Sequence, residues 1–279
     1  MTSVVLRDFL RHLEADPTLF EPDQLRRRLD ALDQLDRMDA EPSDSNAAAM
    51  RERLEAANAA VYESIRSQIQ RSSGRDALLP WIEHCADPAD LIPTGLHYDC
   101  LDELIGGVLQ LREPDSANIY PSPEMIFFQP TPARHILRMI RLSAPTEADT
   151  LIDLGSGLGH VPILVSLLTG ARGIGVEVEP AYVASARGCT ESLGLSRATF
   201  MQQDAREADL SAATVVYLYT PFTGSILGAV LHKLREQSVH QPLRICTFGP
   251  CTQIVAREPW LAASTAIADD QIAIFHVRG

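Results

Sequence analysis

Lysine is nearly missing from this 279-residue chain: Lys233 is the only one, and Lys plus Arg number 24 against 37 Asp plus Glu, a formal charge of −13. Binding to a phosphate backbone draws its affinity from clustered cations that displace counterions, so this composition argues against a nucleic-acid partner. Uninterrupted apolar runs of the roughly 20 residues needed to span a membrane are also missing. The opening MTSVVLRDFLRHLEAD turns charged too early for a signal peptide, and a cytoplasmic protein without a membrane partner is expected. Cysteines 85, 100, 189, 246 and 251 contain no C-x-x-C pair, which excludes a disulfide framework and a cysteine zinc knuckle. His84-Cys85 and His97-x-x-Cys100 lack the matched second pair of a structural zinc site, so reduced thiols and no metal are expected.

What is present is enough apolar residue, 46%, to build a substantial core in one large α/β domain or two modest ones. The charge is uneven, −11 over residues 1–120 and −2 over 121–279. The first stretch reads as helices only. Leu6, Phe9, Leu10 and Leu13 recur at helical spacing, as do Leu25, Leu29 and Leu32, and Leu54, Val61, Ile65 and Ile69 follow the break EPSDSN. A short helix is expected from about Pro80, and another over Leu101–Val108 with Asp99 as its N-cap.

From about residue 121 short β-branched runs alternate with helical stretches, the pattern of a parallel sheet with crossover helices. TLIDL (150–154), GIGVEV (173–178), ATFMQ (198–202), TVVYLY (214–219) and LRICTF (243–248) read as buried strands. Thr131-Pro132 reads as N-cap and first turn of a helix, Pro180 opens a second, and Gly194 ends it. TAIAD and IAIFHVR, around a turn near Asp270, read as a closing antiparallel pair. The division is therefore expected at 1–119, all helical, and 120–279, α/β.

The first strand runs into Asp153-Leu154-Gly155-Ser156-Gly157-Leu158-Gly159-His160, directly before the helix VPILVSLLTG. Glycines here let backbone N–H groups and a helix N-terminus approach a ligand without side-chain interference. A dinucleotide fingerprint G-x-G-x-x-G would need its last glycine where His160 stands, and the spelling is D-x-G-x-G-x-G instead.

That spelling resembles motif I of the class I S-adenosylmethionine-dependent methyltransferases, and the likeness continues in order through residues 120–279. It implies a mostly parallel seven-stranded sheet flanked by helices. The resemblance assigns Asp153, Gly155, Ser156, Gly157 and Gly159 to the cofactor loop. It assigns Glu177, at the end of the second strand, to the two ribose hydroxyls, and Asp204 and Ala205 after the third strand to the adenine edge. Gln129 and Thr131 lie where related enzymes meet the methionine part, and Phe127 and Phe128 either face the ligand or pack in the core. Tyr219-Thr220-Pro221-Phe222 follows the fourth strand at the pocket mouth. It departs from the Asn/Asp-Pro-Pro-Tyr tetrad of amino-methylating enzymes, with Thr220 replacing the amide or carboxylate.

Other readings stay open at this point. Asp153 either meets ligand or holds the loop N–H groups, Glu179 either caps the next helix or replaces Glu177, Thr131 is cofactor contact or cap, and Asp204 is adenine contact or turn residue. The helical part before a motif-I sheet is similar in arrangement to the non-SET lysine methyltransferases. The expectation is an enzyme that moves methyl from S-adenosylmethionine, with S-adenosylhomocysteine as product, to an N or O atom of a small molecule or protein. Tyr219, Tyr98 and Asp99 are its candidate catalytic residues, and Thr220, Pro221, Phe222 and His97 its candidate substrate contacts, with Asp102 beside them. A silent cofactor-binding scaffold is the alternative, and a nicotinamide oxidoreductase, disfavoured by His160, comes third.

Overall fold

Helices come first in the chain, as the apolar spacing predicts: α1 (Thr2–Glu14), α2 (Leu25–Met38), α3 (Ser45–Arg71), α4 (Gly74–Cys85) and α5 (Cys100–Leu109). The structure is a computed structural model that describes residues 2–38, 44–86, 93–114, 124–126 and 128–278. Phe127 and the expected division at 119/120 lie outside these residues. α4 starts six residues before the expected Pro80, which sits inside it. Proline there forgoes one main-chain bond, and burial of Ala77, Leu78, Ile82 and Cys85 in the common core outweighs that loss.

The second half alternates as expected: α6 (Ala133–Ser143), β1 (Thr150–Leu154), α7 (His160–Thr169), β2 (Arg172–Glu177), α8 (Pro180–Leu193), β3 (Ala198–Gln202), β4 (Val215–Tyr219), α9 (Gly224–Ser238), β5 (Arg244–Phe248), α10 (Cys251–Val255), β6 (Leu261–Ala263) and β7 (Ala273–Val277). The strands form one seven-stranded sheet in the order β3-β2-β1-β4-β5-β7-β6. β1 to β5 are mutually parallel, and β7 runs antiparallel to β5 and to β6. TAIAD (265–269) is not the edge strand expected; Leu261–Ala263 is. The ladder stops there because the Thr265 hydroxyl, not a main-chain carbonyl, accepts from the Ile274 N–H at 2.9 Å.

Alternation along the strands splits the core between two faces. Leu151, Tyr217 and Phe248 face one side, where they join Ile136 and Leu164 and also Ile65, Leu78 and Leu104 of the N-terminal helices. Ile152, Val216 and Ile245 face the other side, against Leu227 and Val230 of α9. α3, α4 and α5 thus cover the α7–α8 side of the sheet, and α1, α2 and the start of α3 hold a third apolar cluster.

One carboxylate joins two helix starts. Asp99 is the N-cap of α5, as expected, accepting from Leu101 N–H at 2.8 Å, and Asp102 Oδ2 returns the bond to Asp99 N–H at 2.8 Å. The other oxygen, Oδ1, accepts from Ala133 N–H at 2.7 Å, the first N–H of α6. Thr131 is therefore not the cap of α6; Pro132 occupies that position and Asp102 supplies the acceptor.

Arg28 of α2 has 0% exposure and binds no carboxylate among the described residues. Its guanidinium donates to Asn58 Oδ1 (2.6 Å) and to the carbonyls of Leu19 (2.9 Å), Glu21 (2.5 Å) and Pro22 (3.4 Å), pinning the turns at Pro17–Phe20 and Pro22–Gln24 to α3. Arg28→Lys loses that planar fork and leaves buried carbonyls without donors, each worth about 1–3 kcal/mol. Urea unfolding of the variant is expected to show a loss of about 3 kcal/mol, and an unchanged midpoint contradicts this role.

Candidate active site

The glycine loop turns through left-handed residues at the end of β1, where φ is +82° at Gly155 and +51° at Gly157. Both are close-approach sites. A Cβ on Gly155 would meet Pro221 at 2.3 Å, and one on Gly157 the Phe128 ring at 2.1 Å. The loop is anchored sideways to β2, since Gly155 N–H and Ser156 N–H both donate to Val176 C=O, at 2.8 and 3.1 Å. Glu177 completes the anchor: Oε2 accepts from Gly157 N–H at 2.8 Å and Oε1 from Glu179 N–H at 2.9 Å. Glu179 in turn accepts from Ala181 N–H at 3.2 Å as the N-cap of α8. Glu177 is thus turned toward the loop and Glu179 toward the helix.

Asp153 does not hold the loop. It is 4% exposed and bonds to no described residue, yet it lines the cavity. Burial, and then the neighbouring Glu177 charge, raises its carboxyl well above the usual range. Ser156 Oγ is also buried without a partner. Asp204 meets the forked guanidinium of Arg206, with Nε to Oδ1 at 3.0 Å and Nη2 to Oδ2 at 2.6 Å, and that bonding lowers its pKa. The N–H of Ala205 beside it donates to no described residue.

The opposite wall follows β4. Thr220 has φ of +35°, unusual for a β-branched residue, and is held there by its hydroxyl, which donates to Phe248 C=O (3.1 Å) and accepts from Cys251 N–H (3.0 Å). The kink sets Pro221 against Gly155 and turns the Thr220 hydroxyl away from the cavity. Residues 124–126 strap across this segment: Met125 pairs with Phe222, and Ile126 N–H donates to Pro221 C=O at 3.1 Å. Burial pushes the Tyr219 phenol up to about 12, so it stays protonated at neutral pH. Tyr217 is buried outright and shares a hydrogen bond with Thr131 Oγ1 at 3.0 Å.

These walls enclose a cavity of about 270 Å³. Gln129, Thr131, Asp153, Gly155, Ser156, Glu177, Asp204, Ala205 and Tyr219–Phe222 all line it, while Gly157 and Gly159 shape it from behind. A smaller cavity of about 110 Å³ adjoins it and shares Pro130, Thr131 and His160. Tyr98 and Asp102 line only the smaller one, and the Tyr98 hydroxyl donates to Pro130 C=O at 2.9 Å. His97 and Asp99 line neither. The buried Arg134 guanidinium donates to the carbonyls of His97 and Gly95 and pairs with Asp99 at 3.5 Å, so both residues are drawn into holding the loop on α6. Tyr98, Asp99 and Tyr219 do not meet in one cavity.

Sequence reasoning passed over His160, Tyr182, Tyr217 and Glu113 as cavity residues. His160 borders both cavities, and burial pushes its imidazole down to about 4. Its place, directly after the last motif glycine at the start of α7, was the available signal.

A sheet of this order with an antiparallel β7, a glycine loop tied to an acid on β2, and a cavity at the carboxyl ends of β1 to β4 together define the class I methyltransferase fold. No protein-family model matches the chain. It is 32% identical over 109 residues to a ribosomal protein L11 methyltransferase of Edwardsiella ictaluri, covering 38% of this chain and 37% of that protein. It is 29% identical over 94 residues to a protein-lysine N-methyltransferase of Saccharolobus islandicus, covering 33% and 58%. The chain thus spans less than two thirds of the length of either. Among solved structures, an RNA methyltransferase from Salinibacter ruber in complex with S-adenosyl-L-homocysteine aligns at 32% identity over 53% of this chain and 92% of its own, with a TM-score of 0.41. In its motif, its sheet topology and part of its sequence, the chain is similar to the class I S-adenosylmethionine-dependent methyltransferases.

The Gly157 cradle is open to direct test. Gly157→Ala drives a methyl into Phe128 and adds about 1–2 kcal/mol of left-handed strain. Calorimetry is expected to show at least a roughly tenfold loss of S-adenosylhomocysteine affinity. Affinity equal to wild type contradicts the cradle.

Proposed function

We propose that this chain transfers a methyl group from S-adenosylmethionine to an N or O atom of a small molecule or a protein. The observation that carries the reading is Asp153: a buried, unpartnered carboxylate facing a cavity whose other end holds the acids of β2 and β3. An orphaned carboxylate needs a cation, and the ammonium at the amino-acid end of the cofactor fits that need. Gln129 and Thr131 offer neutral polar atoms at the same end. Glu177 keeps one lone pair on each oxygen for ribose hydroxyls after its two backbone bonds. The Ala205 N–H and the Asp204 carboxylate, shared with Arg206, face the adenine end.

When bound, the cofactor supplies an electrophilic methyl on a sulfonium: the acceptor's lone pair forms the new bond, the C–S pair stays on sulfur, and the acceptor's proton leaves to solvent. The protein's contribution is alignment and exclusion of water. Tyr219, a phenol at neutral pH, orients an acceptor and does not deprotonate it. The strap over 221–223 closes one side, and Tyr98 and Asp102 line the smaller cavity beside it. Among the described residues no Lys or Arg lines the main cavity, which supports a small-molecule or protein acceptor over nucleic acid. All five cysteines are unpaired, in keeping with the cytoplasm, and no helix among the described residues is long and apolar enough to cross a membrane.

Calorimetry is expected to detect S-adenosylmethionine and S-adenosylhomocysteine and not NAD; binding of NAD alone overturns the reading. A pH series sharpens it. Free Asp153 holds its proton to a higher pH than an ordinary aspartate, and an ammonium ligand requires the ionised form. Binding therefore releases protons, and affinity rises with pH until the ligand's own amino group titrates. Asp153→Asn is expected to lose that slope along with affinity, and a slope equal to wild type removes Asp153 from the site.

A further inference from the structure

We infer that the methyl acceptor is a primary alkylamine that enters as a cation, guided by Glu113 at the cavity mouth, an inference that rests on the methyltransferase reading above. The charged side chains lining the main cavity are Glu113, Asp153, Glu177, Glu179 and Asp204, with no Lys or Arg among them. Three of the five are engaged by the fold: Glu177 by the N–H groups of Gly157 and Glu179, Glu179 by Ala181 N–H, and Asp204 by Arg206. Asp153 and Glu113 form no hydrogen bond or ion pair with a described residue. The cofactor carries two cationic groups, a sulfonium and an ammonium, and one carboxylate. Its ammonium satisfies Asp153 at the inner end, and Glu113 is left without a partner at the outer end.

The surroundings of Glu113 specify what it meets. Phe128 and Tyr182, whose ring centroids lie 4.9 Å apart, line the same cavity and offer π faces to a cation. Burial raises the Tyr98 and Tyr182 phenols, and the charge of Glu113, close to both, raises them further. Around these groups the rim is apolar and open to solvent, with Ile126 50% and Val178 44% exposed. An apolar rim beside one free carboxylate suits an aliphatic stem that ends in an ammonium group. A phosphate or a carboxylate acceptor would face uncompensated repulsion in the same place. The acceptor nitrogen sheds a proton to solvent before its lone pair is used, and no further reactant is needed.

The experiment uses the full chain. S-adenosylhomocysteine binding is measured first, without acceptor; if it fails, the methyltransferase reading falls and this inference with it. Transfer of label from tritiated S-adenosylmethionine is then followed with n-octylamine, with a short peptide holding one internal lysine, and with their uncharged counterparts, 1-octanol and the norleucine peptide. At least one amine is expected to be methylated, with the neutral counterparts inert; labelling of octylamine alone indicates a free amine as acceptor, and labelling of the peptide a protein. Glu113→Gln is expected to raise KM for that amine roughly fivefold, and Glu113→Lys further, with S-adenosylhomocysteine affinity within about twofold of wild type. KM is also expected to rise with salt. Labelling of neither amine, equal use of a neutral counterpart, or an unchanged KM in Glu113→Gln overturns the inference.

Discussion

A single carboxylate fixes the geometry on which the site depends. Glu177 accepts from the loop at Gly157 and from the helix entry at Glu179, so the glycine loop and the start of α8 are referred to the same point at the end of β2. Charge-assisted bonds of this kind are worth more than neutral ones, and here two of them converge. The same negative charge, added to burial, keeps Asp153 reluctant to ionise. Loop position and Asp153 chemistry thus have a common origin, and a change at Glu177 moves both.

The opposite wall is built on a different principle. Thr220 is forced into a left-handed conformation and kept there by two hydrogen bonds, and the strain is local to the point where Pro221 must approach Gly155. Glu124 then ties the strap to α9, accepting from the N–H groups of Ser225 (3.0 Å) and Ile226 (3.1 Å). Three stretches distant in sequence, around 125, 155 and 221, meet at one opening. Each is held by backbone bonds, which position a wall more firmly than exposed side chains do.

The sheet was legible in the sequence because its signals are local: β-branched runs of five or six residues, a glycine loop between strand and helix, and Pro180 and Gly194 at the ends of α8. The turn of the glycine loop at the end of β1 was legible for the same reason. The misread features have partners far along the chain. Thr131 has the chemistry of a cap, but the acceptor for α6 comes from Asp102, 31 residues away. Pro80 has the chemistry of a helix start, but packing of α4 against α7 begins the helix before it. His160 was weighed only for the glycine it displaces, because nothing in its neighbours announces a second cavity.

Asp102 also bears on how far the two parts of the chain could be exchanged separately. Its two oxygens serve the first turns of α5 and α6, and Gly74 of α4 leaves no room for a side chain against Leu167 of α7. A recombination event that joined this sheet to an unrelated helical leader would strip α6 of its acceptor and set mismatched shapes against α7. The fit of the N-terminal helices on α6 and α7 is therefore particular to this pair of surfaces, and a substitution on one side of the seam limits which residues the other side accepts.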